Sequence, residues 1–250
     1  MTARTVVAIS SVVASLATTG CLNFYEVPVE TPIHAKLDTS PFQRVLVAGF
    51  LSGGSKSIDP NTETARLLRS QLRTRSQMRV IDADAISLVD EVDKLRGTPA
   101  PQSDEPRIMT EKDLEAYETI FTDAAFWKKL GEEFQGPLIV TGSVLFTEVA
   151  KQGMVRRPVN SVDQYGRPTV NEVASFSSMK GFTLAPKFVF IDGRTGMVLY
   201  SESFREEALY QDTQTTPALS SYFELMDKLL PGFLNTLSSQ KIRGTRVLLK

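Results

Sequence analysis

Between Arg44 and Asp82 the chain switches from a β-rich apolar run to a stripe at helical spacing and back to a strand pattern. That switch restricts the fold more than any other feature. RVLVAGF, starting at Arg44, is an apolar, β-rich run bounded by the polar loop LSGGSKSIDPN. Asn61 or Thr62 is placed to cap a helix through TETARLLRSQLRTRS, with Glu63 suiting the helix dipole in its first turn. Neither cap position has Glu or Gln three residues later, so no capping box forms. Leu67, Leu68 and Leu72 make one apolar stripe, and MRVIDAD then reads as a second strand. Strand, helix and strand together have the length of a βαβ crossover.

The remainder adds strands and helices in a different order. A short helix is expected at Ala85–Leu95, followed at 97–110 by a Pro-rich, polar, exposed insertion, GTPAPQSDEPRIMT. Helical patterning returns from Glu111 to Phe134 as two pieces, with Phe126, Trp127 and Leu130 apolar, and stops at Gly136–Pro137. PLIVTGSVLFTEVA begins as a near-continuous apolar run, which suits a strand buried on both faces. Residues 151–172 are a polar loop or hairpin extension. Two strands follow, VASFSSMKGFTLAPKFVFID, interrupted at Pro186, and MVLYSESFREEALY, joined by a tight turn at Gly193-Arg194-Thr195-Gly196. Leu219, Tyr222, Phe223, Met226, Leu229, Leu230, Phe233, Leu234 and Leu237 recur at helical spacing, with Pro231 expected to kink or split that helix. A short basic strand, IRGTRVLLK, comes last. The order β-α-β, helical insertion, β-β-β and closing helix predicts one α/β domain over residues 44–250, a mixed sheet with helices on one or both faces.

The N-terminus carries an address. After Arg4 the run from Thr5 to Thr19 has no charge, and Thr18, Thr19 and Gly20 lead to Cys21, the only cysteine. That is the layout of a secretory signal peptide with a small-residue cleavage site. The run is 15 residues long, short of the ~20 a spanning helix needs. Cleavage between Gly20 and Cys21 resembles processing at a bacterial lipobox, although Thr18 stands where that pattern usually has Leu. The resemblance implies a leader over residues 1–20, lipid on Cys21, and, with Leu22 next, sorting to the outer membrane facing the periplasm. Residues 22–43 contain Pro28, Pro32 and Pro41 without a sustained period and read as an extended tether. One cysteine excludes an internal disulfide, so the folded part stands on its apolar core.

Catalytic chemistry is sparse. Gly49 to Ser57 approaches a phosphate-binding loop, but Ser55 occupies the lysine position and Lys56 comes one residue late. Asp82 or Asp192 at a strand end could mimic a magnesium ligand, yet a flexible glycine loop accounts better for the segment. His34 is the only histidine and lies in the tether, which leaves no triad and no zinc cluster. Glu132-Glu133 and Glu206-Glu207 are neighbours that point in different directions, hence solvated faces rather than dyads. Lys151, Arg156, Arg157 and Arg167 make a local basic patch, but a net charge of −1 gives no general grip on nucleic acid. Phe176, Phe182, Phe188, Phe190, Tyr200 and Phe204 partly alternate with small or polar residues, as in a half-buried sheet. Val173 to Leu184 is long enough for a membrane-spanning strand, but Ser175, Ser177, Ser178 and Lys180 weaken its outward face. No cofactor and no metal are expected, and the chain is read as a non-enzyme.

The strand–helix–strand unit ending at Asp82, the LIVTGSV strand, and the D-x-x-T-G-x-V-x-x-S pattern from Asp192 to Ser201 in FVFIDGRTGMVLYSESF together resemble one superfamily of envelope lipoproteins. It includes the curli-secretion channel lipoprotein, the penicillin-binding-protein activator lipoprotein and the amino-terminal domain of the Tol periplasmic protein. The resemblance covers about residues 44–250. It implies a membrane-tethered, non-enzymatic binding module, docking an envelope protein at its sheet edges or at the 97–110 and 151–172 insertions. The alternative it implies is a homo-oligomeric, ring-forming secretion component; a nucleotide-binding enzyme is a remote third.

Overall fold

The hydrophobic periods of the sequence reappear as elements in the computed structural model, which describes residues 24–97, 107–211 and 216–249. Gly20, Cys21 and the rest of the leader lie outside the described residues, as do positions 98–106 of the first insertion. In chain order the elements are β1 (Phe24–Ile33), β2 (Arg44–Gly53), α1 (Pro60–Arg75), β3 (Arg79–Ile81), α2 (Leu88–Arg96), α3 (Glu111–Tyr117), a 3-10 turn (Glu118–Thr122) and α4 (Ala124–Glu133). β4 (Leu138–Val162), β5 (Pro168–Asp192), β6 (Val198–Ser203), β7 (Glu206–Gln211), α5 (Ala218–Leu237) and β8 (Gln240–Leu249) follow. The chain divides into a unit spanning Ala35–Ser238 and a smaller one that holds β1 and β8.

The larger unit is α/β with a mixed sheet, as its element order predicts. The strands run β3-β2-β4-β5-β6, and β7 pairs with β5 further along the edge that β6 uses. β2 is parallel to β3 and β4, while β4, β5 and β6 are antiparallel. α1 and α5 cover one face through Leu68, Leu72, Met226 and Phe233. α2, α3, the 3-10 turn and α4 cover the other through Val92, Leu114, Phe121 and Trp127. β2 is the reason both faces are needed: Val45, Val47 and Phe50 enter the first core, while Leu46, Ala48 and Leu51 enter the second. A strand apolar on both sides is stable only between two layers.

The glycines after β2 begins pack rather than flex, which corrects the expectation of a flexible glycine loop. Gly49 has φ 144°, and a Cβ there would stand 2.3 Å from the Ile86 carbonyl oxygen. The β2–β4 register shifts between Val47 and Gly49. Asn61 stabilises this irregularity: its Oδ1 accepts from the Phe50 N–H at 2.7 Å and its Nδ2 donates to the Ile86 carbonyl at 3.2 Å. Asn61 is therefore a tertiary bridge and not the helix cap. The cap is Asp59, which accepts from the Asn61 N–H at 3.1 Å, with Pro60 in the first helical turn, where its missing N–H costs nothing.

Other boundaries differ for local reasons. The stretch from 111 to 134 is three pieces, because the 3-10 turn is pinned when the buried Trp127 Nε1 donates to the Ile120 carbonyl at 2.8 Å. α5 runs unbroken through Pro231, carried by Leu229, Leu230, Phe233 and Leu234 in the core. It is tied to α1 by the buried Tyr222 hydroxyl, 2.6 Å from Thr64 Oγ1, and burial pushes that phenol well above its ordinary pKa. β5 continues through Pro186, whose carbonyl accepts from the Phe204 N–H at 2.8 Å. Pro186 falls where the neighbour on that edge changes from β7 to β6, so its missing N–H interrupts no ladder. The expected tight turn is present: Gly196, at φ 75°, donates to the Asp192 carbonyl at 2.7 Å.

In the smaller unit, β1 pairs antiparallel with β8 from Phe24↔Leu249 to Ile33↔Gln240. Residues 24–33, read from their prolines as tether, thus form half of a two-stranded ribbon. A ribbon strand has an open edge, and proline is harmless there.

Asn61→Ala should lower the unfolding free energy by about 2 kcal/mol in urea titration, because the buried Phe50 N–H loses its acceptor. Asp192 supplies a pH-dependent test. Arg194, donating from Nε at 2.9 Å and Nη2 at 2.8 Å, holds the Asp192 carboxyl below its ordinary pKa. A depressed native pKa contributes stability that is complete above the unfolded value and is lost as pH falls through the folded one. Asp192→Asn should therefore cost about 1.5 kcal/mol at neutral pH, and its denaturation curve should merge with wild type as the medium is acidified below pH ~3.9.

Candidate partner-binding surface

The second sequence insertion is a hairpin extension. β4 and β5 leave the sheet together and stay paired from Lys151↔Met179 to Val162↔Pro168. Twelve residues per strand at ~3.4 Å each give an arm of about 40 Å. Its turn is closed by Asp163, whose Oδ1 accepts from the Tyr165 and Arg167 N–H groups at 2.8 and 2.9 Å. Those backbone donors hold the Asp163 carboxyl below its ordinary pKa. An isolated two-stranded hairpin is marginal in water. This one is continuous with the sheet at one end and locked by a side-chain-bonded turn at the other.

The arm carries apolar groups that none of the described residues covers. Of the fifteen large hydrophobic side chains exposed among the described residues, eight lie on it, including Met154, 73% exposed, and Phe176, 66% exposed. Side chains on a strand alternate between faces. Phe176 therefore lies on the side of β5 that carries Phe182, Leu184, Phe188 and Phe190, which pack in the core under α1 and α5. Met154, opposite Phe176, and Val170 and Val162 nearer the tip extend the same stripe. The reverse face is mixed: Val155, Val159 and Val173 stand exposed on it among polar groups. There Asn171 Nδ2 donates to Ser161 Oγ at 2.8 Å, and Ser161 and Thr169 hydroxyls bond at 2.9 Å. The half-buried sheet read from the aromatics holds for Phe182, Phe188, Phe190, Tyr200 and Phe204, while Phe176 departs from it.

The basic patch expected here is largely paired. Lys151 meets Glu207 at 2.5 Å, Arg167 meets Asp163 at 2.9 Å and Arg156 lies 3.9 Å from Glu172. The outer edges of the arm are open: β2 pairing ends at Leu145 on β4, and β7 pairing ends at Met179 on β5.

A second feature escaped the sequence reading. On the face packed by α2 to α4, Ser143 on β4 lies directly opposite Lys187 on β5. Both meet one carboxylate from the 3-10 turn. Ser143 Oγ donates to Glu118 Oε1 at 3.2 Å, and Lys187 Nζ donates to Glu118 Oε2 at 2.6 Å. They form the base of an open cleft of about 460 Å³. Only the break in periodicity, a lysine two residues before Val189 and four before Ile191, could have drawn attention to it.

The other singled-out residues stay apart. His34 and Lys56 are exposed, and Lys56 sits in the loop before α1. Asp82 pairs with Arg73 at 2.9 Å and Asp192 with Arg194, so each strand-end aspartate is held by an arginine. Glu132 and Glu133 close α4, and Glu206 and Glu207 open β7. Among the described residues no group of three or more His, Cys, Asp or Glu side chains is arranged to hold a metal, and no helix is long and apolar enough to cross a membrane.

No protein-family model matches the chain, and no curated protein does. Solved structures do. Lipoprotein GNA1162 from Neisseria meningitidis is 14% identical, with a TM-score of 0.35 over 78% of this chain and 99% of that one. The LpoB C-terminal domain from Salmonella enterica is 11% identical, with a TM-score of 0.31 over 78% and 91%. A neuraminyllactose-binding hemagglutinin homologue from Helicobacter pylori is 10% identical, with a TM-score of 0.35 over 82% and 87%. Bacterial lipoproteins are thus among the chains to which this protein is similar, at low identity.

Proposed function

We propose that the protein is a lipid-anchored, non-enzymatic binding module of the bacterial cell envelope. Its leader is removed between Gly20 and Cys21, Cys21 carries the lipid, and the α/β unit faces the periplasm from the outer membrane. The observation that carries the binding role is the apolar stripe of the arm. Met154 and Phe176 continue a face that is core elsewhere and here stands in water. Covering such side chains is worth ~1.5–3 kcal/mol each, and large apolar side chains exposed together in this way mark an interaction site.

Open strand edges favour one further reading, a ring-forming oligomer. Unpaired N–H and C=O groups along both sides of the arm are a template for strands of another copy.

Two measurements test these statements. Wild-type chain expressed with radiolabelled palmitate should take up label, and Cys21→Ser should take up none; label on the serine variant would sink the anchor. Separately, Ala150 and Lys180 are register partners, so an Asn-Gly turn can replace residues 151–179. The shortened protein should unfold within a few degrees of wild type and lose the envelope protein that crosslinks to the intact chain. If instead the intact, detergent-extracted protein sediments as a ring and the shortened one as a monomer, the oligomer reading replaces the partner reading.

A further inference from the structure

The cleft over Ser143 and Lys187 is a built site whose charges specify what can enter it. Inward positions on this face of the sheet are apolar where the helices cover them, as at Leu46, Ile139, Val189 and Ile191. Thr141 is accounted for by its donation to the Gly49 carbonyl at 2.7 Å. Ser143 and Lys187 break the pattern together, on register partners, and their common acceptor Glu118 comes from a different segment. Breaks in an otherwise consistent pattern concentrate at functional sites. A clamp between the 3-10 turn and the sheet needs no space above it. Here the pair lies under a cleft of about 460 Å³, lined also by Leu114, Leu145 and Ala185, a size that suits a small ligand.

The Glu118–Lys187 pair is only partly open to water, with side chains 23% and 33% exposed. An anion that captured Lys187 would leave Glu118 without its partner, and a cation that captured Glu118 would strand Lys187. Leaving one member of such a pair unpaired is the costly outcome. A zwitterion avoids it, because its ammonium takes the carboxylate while its own carboxylate takes the ammonium. The rim repeats the arrangement: Arg205 pairs with Glu111 at 2.6 Å, and the exposed Glu115 borders the same opening. We propose that this cleft binds small zwitterionic amino compounds, namely short peptides with both termini free, with an apolar side chain against Leu114 and Leu145. The proposal is independent of the lipid anchor and of the arm.

The test uses the full chain in detergent and three probes, the dipeptide Ala-Leu, its N-acetyl form and its C-terminal amide. Calorimetric titration and thermal unfolding should show saturable binding and a concentration-dependent rise in Tm with free Ala-Leu. Each blocked form should bind at least about tenfold more weakly, the equivalent of ~1.4 kcal/mol. Glu118→Gln should abolish the response. Because that change also loosens the 3-10 turn, Ala185→Leu is the second variant. It fills the floor of the cleft without touching a charge and should keep the wild-type Tm while losing the dipeptide response. No response to millimolar Ala-Leu, equal responses to all three probes, or binding that survives in Ala185→Leu would each overturn the proposal.

Discussion

Twenty-five consecutive residue pairs join β4 to β5, and both candidate surfaces depend on that pairing. Its inner third, from Leu138↔Asp192 to Phe146↔Leu184, is the centre of the sheet, buried on both faces between α1 and α5 on one side and α2 to α4 on the other. Its outer part is the arm. The transition is set by the neighbours. β2 stops pairing at Leu145, β7 stops at Met179, and beyond those points, among the described residues, the two strands pair only with each other. A hairpin of this length survives because its base is anchored in a packed layer and its tip is closed by Asp163.

Much of the larger unit was legible because its segments obey one period at a time. β2, α1 and α5 show it. Each is long and uniformly patterned, β2 apolar on both faces and α1 and α5 along one stripe, and Leu225 is the single fully buried apolar residue of α5 that the stripe reading omitted. Two misses had a signal that was passed over. Asp59-Pro60 is an N-cap followed by proline at the first helical position, yet polar Asn61 and Thr62 drew the assignment. The division of the expected strand MVLYSESFREEALY into β6 and β7 is foreshadowed by Pro186 across from Phe204. The β1–β8 ribbon is a different case, since it joins segments more than two hundred residues apart. Local composition reports proline and charge there but says nothing of a partner.

The arm and the cleft were hidden for opposite reasons. On the arm, Pro158, Arg156 and Glu172 interrupt the stripe of Met154, Phe176, Val170 and Val162, so alternation is visible only once the register is known. Read strand by strand, the serines of β5 look like a weak outward face; paired, Ser175 and Ser177 share the face of Ser161 and Thr169, while Ser178 lies on the side of Phe176. In the cleft, each residue is ordinary alone. Glu118, Ser143 and Lys187 lie on three elements, and only the fold brings a carboxylate, a hydroxyl and an ammonium within bonding distance.

Both surfaces follow from one parity. On β4 and β5 the even-numbered residues face α1 and α5, and beyond those helices the same side presents Met154 and Phe176 to solvent. The odd-numbered residues face α2 to α4 and present Ser143 and Lys187 to Glu118. A slip of one residue on either strand would exchange its two sets, placing Lys187 or Ser143 in the α5 core. Burying an unpaired ammonium there is far more costly than exposing a phenylalanine. The cleft therefore does more than offer a binding site. Its charged pair disfavours the alternative register, and in doing so it keeps Met154, Phe176, Val170 and Val162 of the arm on the side that continues the α5 core.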